Sequence, residues 1–228
     1  MSSSEAADRR LGIVGAGKIG TAIARAAVAG GYDVAISGSG PAERIELIVD
    51  VLAPGARALS TDEVVASADH IVLAVPMHRF RSLSRDLFAG KILVDAMNYW
   101  AETDGADEEL ETAPAGTSAV VRERFSSARV VKSLNHFGYF KFEKSRRPRG
   151  APGRIAIAAA GDDPAAVAAV LQLIDRLGFD PVDAGGLEAG LALQPDGPVF
   201  GVGHSVVEMS NLLSPEPARA HEHRRSGV

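Results

Sequence analysis

The chain has 228 residues, 46% hydrophobic and 23% charged, which supports one large domain, or a domain with a small companion lobe. Its 24 Lys+Arg against 29 Asp+Glu leave a net charge of −5, so there is no global electrostatic argument for nucleic acid. The absence of cysteine excludes a disulfide framework, a thiolate metal site and a cysteine nucleophile, and fits a reducing cytoplasm. No stretch approaches the ~20 apolar residues that span a bilayer, and the first ten residues lack the apolar segment of a secretory signal.

In chain order, Arg10–Gly15 reads as a buried strand and Lys18–Gly30 as a helix stopped by Gly30-Gly31. Tyr32–Ser37 is a second strand that ends in a Ser/Gly loop over 37–40. Pro41 then opens a helix to about Leu52, since proline suits a first helical turn. Thr61-Asp62-Glu63 caps a short helix before Asp69. His70–Val75 is a continuous apolar strand stopped by Pro76, Met77–Leu87 is helical, and Lys91–Asp95 is the next strand. Residues 98–116 are acidic and turn-rich, a surface loop. A helix near Ser118–Phe125 leads to the strand Arg129–Lys132 and a basic loop over 141–150. The strand Arg154–Ala158, a helix over Pro164–Leu177, the strand Phe179–Val182 and a helix between Pro198 and Leu213 follow.

Strands alternating with helices imply right-handed crossovers and a doubly wound, mostly parallel α/β sheet. Gly15-Ala16-Gly17-Lys18-Ile19-Gly20 fits G-x-G-x-x-G between a strand and a helix, the context that gives the pattern meaning. Gly15 permits a tight turn, Gly17 lets backbone approach a pyrophosphate, and Gly20 lets helix and strand pack closely. The helix start then offers unpaired N–H groups to the phosphates. This is a Rossmann-type arrangement. The expected division is a disordered N-terminus over 1–9, a dinucleotide-binding domain over 10–140, a small C-terminal α/β lobe over 151–213 completing the cleft, and a flexible tail over 214–228.

The second strand ends in Ser37-Gly38-Ser39-Gly40 where an NAD site places a carboxylate, and Asp33 comes too early to reach a ribose. A 2′-phosphate would find Ser37, Ser39, glycine amides and the charge of Arg44, so NADP is favoured over NAD. Asp163-Pro164 reads as a capped helix start, so Asp162-Asp163 is no metal pair, and the tail's His221 and His223 lack a ligand cluster. No metal site is expected.

Five segments carry a resemblance: Leu73-Ala74-Val75-Pro76, Val94-Asp95-Ala96-Met97-Asn98, Val131-Lys132-Ser133-Leu134-Asn135, Ala160-Gly161-Asp162-Asp163-Pro164 and, after a helix, Leu177-Gly178-Phe179-Asp180-Pro181-Val182-Asp183-Ala184-Gly185-Gly186-Leu187. Over about residues 10–202 the chain resembles the NADP-dependent reductases of the deazaflavin coenzyme F420. The resemblance implies hydride transfer between NADP(H) and F420 in one cleft, in a homodimer; composition, charge and hydropathy add the expectation of a cytoplasmic protein with no nucleic-acid or membrane partner. It places Gly15, Gly17, Lys18, Ile19 and Gly20 at the pyrophosphate, and Ser37, Gly38 and Ser39 around the 2′-phosphate. Ala74, Val75, Pro76, Met97 and Asn98 would line the nicotinamide side. The sequence departs from the family after Ser37, where an arginine is common.

Hydride transfer between two ring cofactors needs alignment and dryness more than a proton donor, so the absence of a catalytic triad argues only against a hydrolase. Asn98, Asn135 and His136 are the candidates for contact with the reacting rings, with Phe137 or Tyr139 as an apolar wall and His78 at a phosphate or ring substituent. The basic run Lys141–Arg149 would meet the acidic tail of F420. Two rivals remain: an NADPH-dependent reductase of a small imine or carbonyl, whose relatives add a long helical C-terminal domain, and a non-catalytic NADP(H)-binding sensor.

Overall fold

The computed structural model describes residues 9–214. Of the disordered N-terminus expected over 1–9 and the tail expected over 214–228, residues 1–8 and 215–228, with His221 and His223, lie outside the described residues. The chain runs β1 (Arg10–Val14), α1 (Lys18–Ala29), β2 (Asp33–Ser37), a 3-10 turn (Ala42–Arg44), α2 (Glu46–Leu52) and β3 (Arg57–Ala58). It continues α3 (Thr61–Ser67), β4 (His70–Leu73), a 3-10 helix (Met77–Ser82), β5 (Ile92–Asp95), α4 (Ala101–Asp104), α5 (Glu108–Glu111), α6 (Thr117–Arg124) and β6 (Arg129–Ser133). The last part is α7 (Tyr139–Ser145), β7 (Ala156–Gly161), α8 (Pro164–Leu177), β8 (Asp180–Gly185), a 3-10 helix (Leu187–Leu193) and α9 (Val206–Leu213).

All eight strands form one sheet in the order β3-β2-β1-β4-β5-β6-β7-β8. Every pairing is parallel except that of β6 with β7. The strands expected in a small C-terminal lobe therefore extend the main sheet. Strand order reverses between β1 and β4, the point where an open α/β sheet leaves a crevice at its carboxyl edge.

The period-2 geometry of strands divides the core between two faces. Leu11 and Ile13 of β1, Val72 of β4, and Ile92 and Val94 of β5 lie with residues of α1 and α8 on one face. Ile71, Leu73 and Leu93 lie with Phe80, Phe88, Val121 and Phe125 on the other. In β7 the alternation is made largely of alanine: Ile157 and Ala159 join the first cluster, and Ala156, Ala158 and Ala160 a third with Leu193, Val199 and Met209. Strands covered on both faces read as continuous apolar runs, which is why these were legible.

Helix α8 matches its expected bounds because each end carries its own signal. The Asp163 carboxylate accepts the Ala166 N–H at 2.8 Å, Pro164 occupies the first turn, and Gly178 stops the helix with φ 97°. Ala166, Val167, Val170, Leu173, Ile174 and Leu177 form its buried stripe, and each of the larger side chains contributes roughly 1.5–3 kcal/mol. The helix before Asp69 is capped one residue earlier than expected, by Ser60 in a reciprocal pair with Glu63.

Elsewhere the structure corrects the local reading. The helix expected from Pro41 to Leu52 is split at Ile45 into a 3-10 turn and α2. The expected helix over Met77–Leu87 ends at Ser82, because Arg124 donates to the carbonyls of Arg81 and Leu83 at 2.7 and 2.6 Å. The surface loop expected over 98–116 contains α4 and α5, the latter capped by Asp107 and anchored by buried Leu110. The helix expected from Pro198 is confined to α9, where Ser205 and Glu208 form the capping box.

The basic loop expected over 141–150 begins as α7, whose fully buried Phe142 packs on Phe179 with ring centroids 4.7 Å apart. Its Arg146 and Arg149, with Arg154 beyond the loop, then hold the end of α8. Arg146 donates to the Leu177 carbonyl at 2.7 Å, and Arg154 to the Asp175 carbonyl and the Asp180 carboxylate, each at 2.6 Å. Arg149 pairs with Asp175 at 3.0 Å. Cations at a helix C-terminus satisfy its orphan carbonyls and oppose its negative dipole end.

Candidate functional site: a two-part cleft at the carboxyl edge of the sheet

Two cavities open along this edge and share Val75. The first, about 450 Å³, is lined by Gly15, Ala16 and Gly17 after β1, by Gly38–Gly40 after β2 and by Ala74–Pro76 after β4. The second, about 420 Å³, is lined by Met97 and Asn98 after β5 and by the segment from Asn135 to Phe140 after β6. Ile19, Trp100, Phe200 and Gly201 complete it.

The three glycines of the loop meet different constraints. Gly15 has φ 123°, and a Cβ there would meet the Ala74 carbonyl oxygen. A Cβ on Gly20 would collide with the carbonyl oxygen of Gly15, so this glycine sets the approach of α1 to β1. Gly17 has open space where its Cβ would be. It is also the N-cap of α1, with no side-chain cap and no acidic residue in the first turn. The leading N–H groups of a helix need a partner from outside it. An open backbone face with uncapped donors and a positive dipole end fits a pyrophosphate.

The residues expected around a 2′-phosphate divide. Gly38 and Ser39 line the first cavity. Ser37 is a correction: it is fully buried, and its Oγ accepts from Thr61 Oγ1 at 3.2 Å, so it braces the loop. Arg44 is exposed outside the lining and lies against Gly40. Lys18 is exposed, its Nζ 5.5 Å from the Tyr139 ring centroid.

The second cavity rests on a buried polar scaffold. Lys132 is fully buried, and its Nζ donates to the Met97 carbonyl at 2.6 Å and the Asp95 carboxylate at 3.3 Å. Burial pulls the Lys132 pKa down while the Asp95 charge and hydrogen bond act the other way. Asp95 also accepts from Ser118 Oγ at 2.6 Å and the Met97 N–H at 3.0 Å. This network fixes the segment leading to Asn98. A lysine inside the apolar run Val130–Ser133 was its sequence signal.

Asn98 and Asn135 bond reciprocally. Asn98 Nδ2 donates to the Asn135 carbonyl and Asn135 Nδ2 to Asn98 Oδ1, each at 2.9 Å, and Asn135 Nδ2 also donates to the Leu193 carbonyl at 2.6 Å. The pair holds the ends of β5 and β6 together. His136 is 1% exposed, and its Nε2 accepts the Ala158 N–H at 3.3 Å. Burial, reinforced by the charges of Lys132 and His204, pushes its pKa down to about 3. It is therefore neutral at neutral pH. His78 is drawn toward α4: its Nδ1 lies 2.9 Å from Asp104 Oδ1, which also accepts the His78 backbone N–H. Burial acts to raise the Asp104 pKa, but hydrogen bonds from Trp100 and His78 outweigh it and hold the carboxyl below its ordinary value.

Several lining residues escaped the sequence reading. Thr61, Arg79, Ser82 and Leu83 face the first cavity; Trp100, Phe140 and Phe200 face the second. Arg79 and Trp100 follow strand ends closely enough for the carboxyl-edge rule to have found them. Phe200 had no local signal, and its place is set by packing, with its ring 5.8 Å from that of Trp100. No group of three metal-ligating side chains occurs among the described residues. None of the described helices is long and apolar enough to cross a membrane.

Residues 10–99 match the family model for coenzyme F420-dependent NADP oxidoreductases. Among solved structures, the hypothetical protein SMa0349 from Sinorhizobium meliloti superposes with a TM-score of 0.74 at 26% identity, over 86% of this chain and 94% of that one. A protein from Arthrobacter sp. FB24 named as a "putative F420 dependent NADP-reductase" shares the fold with a TM-score of 0.65 at 23% identity, over 86% of this chain and 99% of that one. YjhV of Escherichia coli (strain K12) is 41% identical over 58 residues, covering 25% of this chain and 42% of that relative, so the match spans less than half of its length. The similarity to the family of coenzyme F420-dependent NADP oxidoreductases is thus carried by residues 10–99, which hold the glycine loop and the carboxyl ends of β1, β2, β4 and β5.

Proposed function

We propose that the protein is an oxidoreductase that transfers a hydride between NADP(H) and the deazaflavin coenzyme F420. The observation that carries this reading is the adjoining pair of cavities meeting at Val75, one floored by glycine backbone and the other walled by aromatic rings. An adenosine and pyrophosphate suit the first, and a nicotinamide facing a second planar ring suits the second.

When bound, the dinucleotide supplies the hydride at its nicotinamide ring. The chain supplies position and dryness. The start of α1 holds the pyrophosphate, and Ala74–Pro76 lead from one cavity to the other. Met97, Phe137, Tyr139 and Phe200 exclude water and orient flat rings. The Asn98–Asn135 pair keeps two walls at fixed separation. His136, neutral and buried, delivers no proton, so the proton that F420 reduction consumes beside the hydride comes from another source.

The test is a spectrophotometric assay of the purified protein with NADPH and oxidised F420, repeated with NADH. The expected result is bleaching of the deazaflavin band with NADPH. Dinucleotide binding without bleaching would move the assignment to another acceptor, an imine or carbonyl compound, or to a non-catalytic sensor.

A further inference from the structure

We infer that Arg79 selects the 2′-phosphate in the adenosine half of the cleft, a task the family commonly gives to an arginine directly after β2. The inference rests on the proposed reading of the cleft as a dinucleotide site. It begins from what the end of β2 cannot do. Ser37 is buried and already paired with Thr61. Gly38 has no side chain, and Ile45 Cγ2 stands 2.7 Å from where its Cβ would be. A longer residue at 38 would have to displace Ile45, so the usual arginine has no room.

Arg79 fills this gap from the opposite wall. Its backbone N–H bonds the Pro76 carbonyl at 2.8 Å, which fixes it just beyond β4. It is the one charged side chain among the described residues lining the first cavity, which has no carboxylate there. Its guanidinium is exposed and makes no hydrogen bond or ion pair among the described residues. Its neighbour Arg81, two positions on, is held by Asp107 and Glu109. Asp33, the nearest acid on β2, lies at the strand's other end and is paired with Arg57 at 3.2 Å. Ser39, Thr61 and Ser82 line the same cavity and can add hydrogen bonds to a phosphate. A planar cation facing a dianion across a cavity without acids favours the phosphorylated ribose.

The experiment titrates NADPH, NADH and adenosine 2′,5′-bisphosphate against the full chain and its Arg79→Ala, Arg79→Lys and Arg44→Ala variants. Arg79→Ala is expected to weaken NADPH and the bisphosphate by about 10- to 100-fold and to leave NADH within about twofold. Arg79→Lys should recover part of the loss, and Arg44→Ala should leave the NADPH/NADH ratio near that of the unaltered protein. Equal loss for NADPH and NADH, no loss, or the same selective loss from Arg44→Ala would overturn the inference. If the unaltered protein binds both dinucleotides and Arg79→Ala changes neither, the inference falls and the dinucleotide site stands. If it binds neither, both fall.

Discussion

The two cavities of the cleft are built by different means. The first is mostly backbone: glycines after β1 and β2 and the segment Ala74–Pro76 after β4, brought together by neighbouring parallel strands. The second is mostly side chain, with Trp100, Phe137, Tyr139 and Phe200 reaching in from segments up to a hundred residues apart, on a floor braced by Lys132 and the two asparagines. A backbone surface presents the same donors to any dinucleotide. A side-chain surface can be rebuilt, and it is where the identity of the second substrate is decided. Substitutions in the two parts should therefore fail in different ways.

The largest effect is expected from Gly20→Ala, because the new Cβ meets the Gly15 carbonyl. Overpacking of this kind costs about 1–3 kcal/mol of stability, and displacement of the loop should weaken dinucleotide binding more than about 100-fold. Gly17→Ala has open space for its Cβ, so it should leave the melting temperature alone and weaken binding by about tenfold through obstruction of the pyrophosphate. Chemical denaturation and fluorescence titration of both variants check the pair. Similar losses of stability would remove the distinction between a packing glycine and a ligand-facing one.

In the second part, Asn135→Ala strips the donor from Asn98 Oδ1 and the Leu193 carbonyl. It should cost about 1–3 kcal/mol and lower kcat while NADPH affinity changes little. An equal loss of NADPH affinity would show the two parts to be one unit. Urea denaturation and steady-state kinetics separate these outcomes.

Buried His136 gives a pH signature. Its folded pKa of about 3 lies below its ordinary value of 6.5, so between those limits the unfolded chain binds a proton that the folded chain does not. Its neutral burial is compatible with full stability above pH 6.5, and stability is lost as pH falls, at up to about 1.4 kcal/mol per pH unit. Denaturation midpoints between pH 7 and 4 for the unaltered protein and for His136→Asn measure this, and the variant should show the shallower slope.

Trp100→Ala should have the smallest effect on folding, since the ring is 44% exposed. A change within about 0.5 kcal/mol is expected, with the KM for the ring acceptor raised several-fold and NADPH affinity untouched. A raised Kd for NADPH would shift the boundary between the two cavities.

The contrast also explains what could be read from the chain. The loop at Gly15–Gly20 and the helix at Pro164–Leu177 announce themselves locally, through glycine spacing, a capping aspartate and an apolar stripe. The Met77–Leu87 segment carries a helical pattern, yet Arg124, more than forty residues on, takes the carbonyls a longer helix would need. The basic run after Lys141 looked like a surface waiting for an acidic ligand. Within it Arg146 and Arg149, joined by Arg154 from beyond the run, close the end of α8, a use visible only once Asp175, Leu177 and Asp180 stand beside them. Ser37 stands at a strand end, a position that points to a ligand, but Thr61 donates to its hydroxyl oxygen from a different element.

The sequence by itself determined the doubly wound sheet, the glycine loop and the strand ends from which the cleft is built, because periodicity, turns and caps act over a few neighbouring residues. Tertiary structure decided which polar groups remain available there. It buried Ser37 and His136, engaged Arg81 and Arg154, left Arg79 open, and set Trp100 against Phe200. Hydrogen-bond partners and burial depend on segments that are distant along the chain, and only their packing shows which side chains are already occupied and which still face the cleft.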